Sequence, residues 1–484
     1  MKTSGILMPI FSLKSKYGIG TLGKEAYKFA DFLKESGVKI WQMLPLGPTG
    51  YGDSPYQCLS SFAGNTYFID PDFLVRDGYM KKSDLPEKRK DKKIDYGYIY
   101  FSRKDMLRKA YNYSFSKISK KVKSFGKNNP DVYDFAVFMA LKDKFNGTPW
   151  YNFPSDIRLR EESALESAKK ELEVDINYHL YCQYLFFEQW NALKKYIHSK
   201  KIEIMGDLPI YVAPDSSDAW ANRSAFQLNA DGQQEYCAAV PPDYFSETGQ
   251  KWGNPLYDWE AMKKNNFEFV IRRMEFVSKM FDILRLDHFI GYANYYSVQN
   301  SAVDAKIGSW RDGPGKPLFD VAHKKLPQIK FVAEDLGIMS DKVLNLMKET
   351  GFPCMRVIQF AFSGEDDNMH LPQVISHNTL YYTSTHDNDT SKAFWQTQPE
   401  ENRKIIGQFI DLDRRQPVNS LIKAVYSSVA DYAVIPIADW LGAGFEGKIN
   451  SPGTSEGNWT ATYTGYTSQK LSKKIKQFNK RYNR

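Results

Sequence analysis

Five times along this chain, apolar residues at helical spacing lead into a short apolar run, and that order narrows the possible folds more than any other feature. Residues 25–37 place Ala26, Phe29, Ala30, Phe32 and Leu33 on one helical face and stop at Gly37, after which 38–46 read as a buried strand. Residues 181–200, with Tyr184, Leu185, Trp190, Leu193 and Ile197, precede a strand at 202–205 and then Gly206-Asp207. The same order returns at 267–281 before Asp287, at 318–326 before Glu334, and at 342–351 before a strand at 355–362. Helix alternating with buried strand predicts an α/β protein with a parallel sheet. Acidic residues just past several strand ends favour closure into a (β/α)8 TIM barrel, whose reactive groups sit at the C-terminal ends of its strands.

A barrel of this kind needs about 250 residues, so a single catalytic barrel over 1–484 must carry large helical and loop insertions. Residues 73–173, charged and helical in pattern, read as a mostly helical insertion subdomain. Residues 215–259, rich in Gly, Pro, Asn and aromatics and without clear period, read as a loop-rich insertion over the active site.

Several function classes fall away. No apolar stretch approaches the roughly 18 residues of a membrane span, and residues 1–13 lack a basic region followed by a long apolar run. A cytoplasmic protein without a membrane partner is expected. Cys58, Cys182, Cys237 and Cys354 show no paired spacing, so free thiols are expected. The formal charge of +8 gathers in 81–93 and 470–484, where basic residues mix with polar ones and carry no nucleic-acid motif. Those stretches read as solvated surface. The 31 Tyr, 31 Phe and 10 Trp fit a cleft in which sugar C–H faces pack on rings, although any one ring reads as core.

Three acids carry the chemistry. Arg285 and Asp287 fall on one side of a strand because side chains alternate with period two. An arginine beside a carboxylate keeps it ionised, as a nucleophile attacking an anomeric carbon requires. A buried ion pair without chemistry is the other reading of the same residues. Glu334, past Phe331-Val332-Ala333, suits a proton donor to a departing glycosidic oxygen once burial raises its pKa, with Asp335 pointing the opposite way; an exposed turn acid is the alternative. Asp387, past the apolar run ending in His386, suits holding hydroxyls and favouring a cationic transition state. His288 and His386 suit hydroxyl binding. Their spacing from acids does not repeat, so no metal is expected.

These motifs together carry a resemblance. Leu44-Pro45-Leu46-Gly47-Pro48-Thr49-Gly50-Tyr51-Gly52-Asp53-Ser54-Pro55-Tyr56, Gly206-Asp207-Leu208-Pro209, Pro241-Pro242-Asp243-Tyr244-Phe245, Trp252-Gly253-Asn254-Pro255, Arg285-Leu286-Asp287-His288-Phe289, Ala333-Glu334-Asp335-Leu336-Gly337 and Thr385-His386-Asp387-Asn388 follow in the order of the amylomaltase or disproportionating-enzyme family. The chain thus resembles the 4-α-glucanotransferases of glycoside hydrolase family 77, within the α-amylase superfamily. The resemblance implies retaining double displacement on α-1,4-glucans without a cofactor. Asp287 would be the nucleophile, Glu334 the general acid/base and Asp387 the transition-state stabiliser. Arg285, His288, His386, Tyr56 and Asp207 would surround the attacked glucose, with Ser54 in the sugar-binding set. Trp252, Asn254 and Pro255 would belong to a loop on the acceptor side. Implied partners are maltooligosaccharides, starch- or glycogen-like α-1,4-glucans, and glucose or maltose as acceptor. A retaining α-glucan hydrolase and a non-catalytic glycan-binding protein are the alternatives on the same fold.

The chain departs from the family at four places. Ile290 replaces an arginine, Lys448-Ile449-Asn450 an arginine-methionine-asparagine, Ala461-Thr462 a tryptophan-arginine, and Pro353-Cys354-Met355 a proline-glycine-methionine. None of these removes one of the three acids, and acceptor preference, chain-length range and efficiency are where they are expected to act.

Overall fold

The structure, a computed structural model, describes residues 2–50, 52–242, 246–454 and 456–484. Tyr51, Asp243, Tyr244 and Phe245, all within the motifs above, lie outside the described residues. Eight short strands form one parallel sheet: Thr3–Leu7 (β1), Ile40–Gln42 (β2), Glu203–Leu208 (β3), Ile283–Leu286 (β4), Lys330–Ala333 (β5), Cys354–Val357 (β6), Thr379–Tyr382 (β7) and Tyr432–Pro436 (β8). They pair in the order β6-β7-β8-β1-β2-β3-β4-β5, and β8 joins β1 from Thr3 opposite Tyr432 to Leu7 opposite Pro436. This is the expected TIM barrel. At the remaining seam, β5 to β6, no ladder forms, and Ala333 N donates to Pro353 O at 2.9 Å.

Every residue of β2, β4 and β7 is buried. Such strands show no alternation because helices cover the outer face while side chains fill the interior. Helices Lys24–Ser36, Glu268–Met280 and Asp341–Thr350 lead into β2, β4 and β6. The first stops at Gly37, whose φ of 76° is left-handed and whose N–H caps Leu33 O, a geometry that suits glycine. Gly206 in β3 is needed for a different reason: a Cβ there would lie 2.0 Å from the Phe281 ring.

Between β2 and β3 run the helices Tyr96–Asn128, Pro130–Lys144, Glu162–Glu171 and Glu173–Ser199. Asp95 caps the first by accepting from Tyr98 N at 3.0 Å, and Pro130 ends it by removing a donor and restricting Asn129. A second sheet, antiparallel, orders Gln250–Pro255, Tyr236–Val240, Asn294–Gln299 and Gly308–Asp312. Periodicity did not announce it, since Cys237, Ala238 and Ala239 are buried in succession. Two strands also differ in extent from the expected 38–46 and 355–362. Met43, Leu44 and Leu46 are buried without belonging to β2, and β6 passes at Val357 into a 3-10 turn, Ile358–Phe360. No helix of the described residues is long and apolar enough to cross a membrane.

Candidate active site

Asp207 on β3 and Arg285 on β4 are partners in the ladder, so their side chains leave the sheet on the same face. Arg285 Nη1 donates to both carboxylate oxygens of Asp207 at 2.8 Å and to Asp287 Oδ1 at 2.9 Å. One guanidinium therefore sits between two carboxylates, and its Nη2 lies 4.0 Å from Glu334 Oε2. Leu286 faces Ala333 across β4 and β5, which brings the next residues, Asp287 and Glu334, to the same level of the barrel. Below them the Tyr382 hydroxyl donates to Gln42 Oε1 at 2.8 Å. Because two strands separate β7 from β2, that bond crosses the interior.

Glu334 is held firmly. His288 N donates to its Oε2 at 2.7 Å and Leu336 N to its Oε1 at 3.0 Å. Its backbone is fixed on the β4 side by Glu334 N to Leu286 O at 3.0 Å and Phe289 N to Glu334 O at 2.9 Å. Burial pushes its carboxyl up to about 8; Arg285 opposes this, and the Asp287 charge adds to it. Burial also pushes Asp287 upward, against the pull of Arg285. Side-chain exposure separates the three acids: 43% for Asp387, 24% for Asp287 and 10% for Glu334. The first two are thus reachable by a sugar, while Glu334 sits in surroundings that favour its protonated form.

Asp387 follows β7 in a turn held by Thr385 N to Asn388 Oδ1 at 2.9 Å, and Asn450 Nδ2 donates to Asp387 Oδ1 at 2.6 Å. His386 Nε2 lies 3.3 Å from Asp387 Oδ2. The Tyr56 hydroxyl donates to Asp207 Oδ2 at 2.7 Å, and its ring stacks on His386 at 5.1 Å with planes 11° apart. Trp459 completes this aromatic group, 5.9 Å from Tyr56 and 6.0 Å from His386. A φ of +62° places Trp459 in the left-handed region, disfavoured by about 1–2 kcal/mol for such a residue. Its N–H to Ile449 O at 2.7 Å and the Tyr96 hydroxyl to its carbonyl at 2.9 Å hold it there.

On the other side, Trp252 meets the His288 ring edge-on at 4.8 Å. Asn254 Nδ2 donates to Val212 O at 2.7 Å and exchanges bonds with the Gln57 amide at 3.2 and 3.3 Å. Pro255 ends its strand, buried and opposite Cys237. Ser54 Oγ accepts from Tyr56 N at 3.3 Å, shaping the turn that presents the ring. Burial lowers both histidines, His288 to about 4, so neither adds positive charge near neutrality. Arg285 thus lies between the carboxylates of Asp207 and Asp287, with Asp387 beside His386, a grouping of carboxylates that favours a developing oxocarbenium ion. Among the described residues no group of three His, Cys, Asp or Glu is placed to hold a metal.

The four departures have separate surroundings. Ile290 is buried, Lys448 Nζ pairs with Asp389 at 2.9 Å, and Ala461 bridges Lys93 while Thr462 Oγ1 donates to Lys92 O at 2.9 Å. Cys354 lies in β6 with ordinary strand backbone, which a side chain tolerates. Sequence reasoning assigned no role to Asn450, Gln57, Trp459 or Tyr96. Each acts on a partner at least 63 residues away, which no local pattern signals.

Comparison with known proteins places the cluster in context. The 4-alpha-glucanotransferase family model matches residues 8–467. A 4-alpha-glucanotransferase of Clostridium butyricum is 43% identical over 99% of this chain and all of its own length. One from Streptococcus pneumoniae is 41% identical over 95% of this chain and 92% of its own. Among solved structures, an amylomaltase from Streptococcus agalactiae in complex with acarbose superposes with a TM-score of 0.97, at 34% identity and full coverage of both chains.

Proposed function

Because the chain belongs to the 4-alpha-glucanotransferase family, glycoside hydrolase family 77, and is a glycosyl-transferring enzyme, we propose that Asp287, Glu334 and Asp387 carry the transfer through a covalent glycosyl-enzyme. The observation that supports this most is the Arg285 guanidinium shared between Asp207 and Asp287, beside a Glu334 pushed to about 8. One carboxylate is paired with a cation and fit to attack, and its neighbour is protonated and fit to donate.

In the first step Asp287 forms a bond to the anomeric carbon as the glycosidic oxygen leaves with the proton of Glu334. In the second, Glu334, now a carboxylate, takes the proton of the acceptor 4-hydroxyl as that oxygen displaces the ester. Asp387, oriented by Asn450, faces the positive charge that develops at the ring in both steps. Tyr56 and His386 form a flat wall for the reacting glucose, and Asp207 accepts from its hydroxyls or orients Tyr56 and Arg285. Trp252, Asn254 and Pro255 hold the acceptor side. An acceptor sugar positioned against the ester outcompetes water through proximity, and loops that exclude water strengthen that bias. We place residues 215–259 in that role, with 73–173 as a helical subdomain flanking it.

Donors are maltooligosaccharides and starch- or glycogen-like α-1,4-glucans, and acceptors are glucose, maltose and longer glucans. A cytoplasmic setting accords with its four free thiols. The test is a product ladder from maltotriose with the purified protein and with Glu334→Gln. Longer and shorter glucans from the unaltered enzyme alone, with little net gain of reducing ends, are expected. Glucose and maltose without elongation would make the protein a hydrolase instead.

A further inference from the structure

The seam between β5 and β6 is where the barrel departs from its own pattern. In a parallel pair with Ala333 facing Cys354, one bond runs from Ala333 N to Pro353 O and the next from Met355 N back to Ala333 O. The first is present at 2.9 Å. At the second, Met355 N donates to a side chain instead, Oδ1 of Asp335, at 2.8 Å. Asp335 is 2% exposed, and Arg356 Nη1 donates to its two oxygens at 3.0 and 2.8 Å and to Met355 O at 2.5 Å. The carboxylate takes the position of a strand carbonyl, and the guanidinium beside it balances its charge.

We infer that Asp335 is a positioning residue for the acid/base, a side-chain splice that closes the barrel at β5–β6 and thereby fixes the direction in which Glu334 points. Successive residues are anchored to opposite neighbours. Glu334 is tied to β4 through Leu286 O and Phe289 N, and Asp335 is tied to β6 through Met355 N and Arg356. The peptide between them is held from both sides and cannot turn without breaking a buried bond. A full ladder would anchor Ala333 to β6 but would leave Glu334 tied on its β4 side alone. Moving the anchor two residues along the chain brings it next to the residue whose direction matters.

This inference rests on Glu334 being the acid/base. Asp335→Ala removes the splice, and a misplacement near 1 Å is expected to lower kcat on maltotriose about 10²-fold, with little change in KM. Asp335→Asn keeps an oxygen for Met355 N–H and is expected to restore most of the loss. Single-turnover fluoride release from α-maltosyl fluoride, whose leaving group needs little protonation, is expected to be largely spared in Asp335→Ala. Hydrogen exchange at the Met355 amide is expected to speed up in Asp335→Ala and not in Asp335→Asn. Arg356→Gln leaves the Met355 bond and strips its charge partner, and is expected to give a smaller fall in kcat with slow exchange retained. It serves as the probe should the alanine variant not fold. Equal loss with both donors, no rescue by Asp335→Asn, or unchanged Met355 exchange overturns the inference. Glu334→Gln measured alongside separates the premise: if it loses fluoride release as fully as maltotriose turnover, the acid/base assignment is wrong, while Met355 exchange still decides the splice.

Discussion

Replacing Glu334 with glutamine removes a group whose ionisation the fold resists, and this makes its raised pKa measurable without substrate. Burial raises its carboxyl from 4.5 to about 8. The folded-state pKa therefore lies above the unfolded one, so its contribution to stability is full below about pH 4.5 and is lost as pH rises through 8. Each tenfold gain in proton affinity corresponds to about 1.4 kcal/mol, which puts the full loss on the order of 3–5 kcal/mol. Glutamine cannot ionise. Denaturation midpoints of Glu334→Gln and the unaltered enzyme, compared from pH 5 to 9 at a fixed scan rate, should diverge in favour of the variant as pH rises. Activity carries the same signature. At pH 7 a group titrating near 8 is about nine-tenths protonated, whereas one at 4.5 would be protonated about three times in a thousand. The basic limb of kcat/KM on maltotriose should fall near pH 8 and should be absent from fluoride release with α-maltosyl fluoride. A stability difference that stays flat from pH 5 to 9, or a basic limb below pH 6, would refute the reasoning.

Arg285→Met leaves the buried Asp207 and the half-buried Asp287 without their cation, a change expected to cost about 3–5 kcal/mol in denaturation; Arg285→Lys should recover stability more than kcat, since one ammonium does not copy the shared guanidinium. Tyr56→Phe loses the bond to Asp207 but keeps the stack on His386, so kcat/KM on maltotriose should fall about 10- to 100-fold, and further in Tyr56→Ala. His288, lowered to about 4, should show no ring titration by NMR between pH 5 and 8, and a midpoint near 6.5 would contradict its burial.

Legibility in the sequence followed the range of each interaction. Helices such as Lys24–Ser36 and Asp341–Thr350 announce themselves because one face is apolar and a glycine ends them. Asp287 and Glu334 stand out because they follow such helices and a short apolar run. The extent of β2 was not legible, since Met43, Leu44 and Leu46 are as buried outside the ladder as Ile40 and Trp41 are within it. The second sheet hid for a similar reason: Cys237, Ala238 and Ala239 are covered on both faces and show no period of two. Within the site, Arg285 and Asp287 are two residues apart and alternation joined them, whereas Arg285 and Asp207 are separated by 78 and Tyr56 and Asp207 by 151. Register between strands, which determines those partners, leaves no mark on either strand alone.

The bond from Tyr96 to the carbonyl of Trp459 joins residues 363 apart, and Ile94 N to Thr460 O at 3.0 Å and Lys93 against Ala461 run beside it. On a ribosome this fixes an order of events. Residues 92–96 emerge early and must wait, solvated, while most of the chain is still being made. The ring group of Tyr56, His386 and Trp459 cannot assemble until the last of its members has left the exit tunnel. Contacts this distant are slow to form, because closing long loops costs entropy before any packing rewards it. A nascent chain that already displays Asp287, Glu334 and Asp387 but not yet Trp459 is consequently one whose ring group beside them is still incomplete.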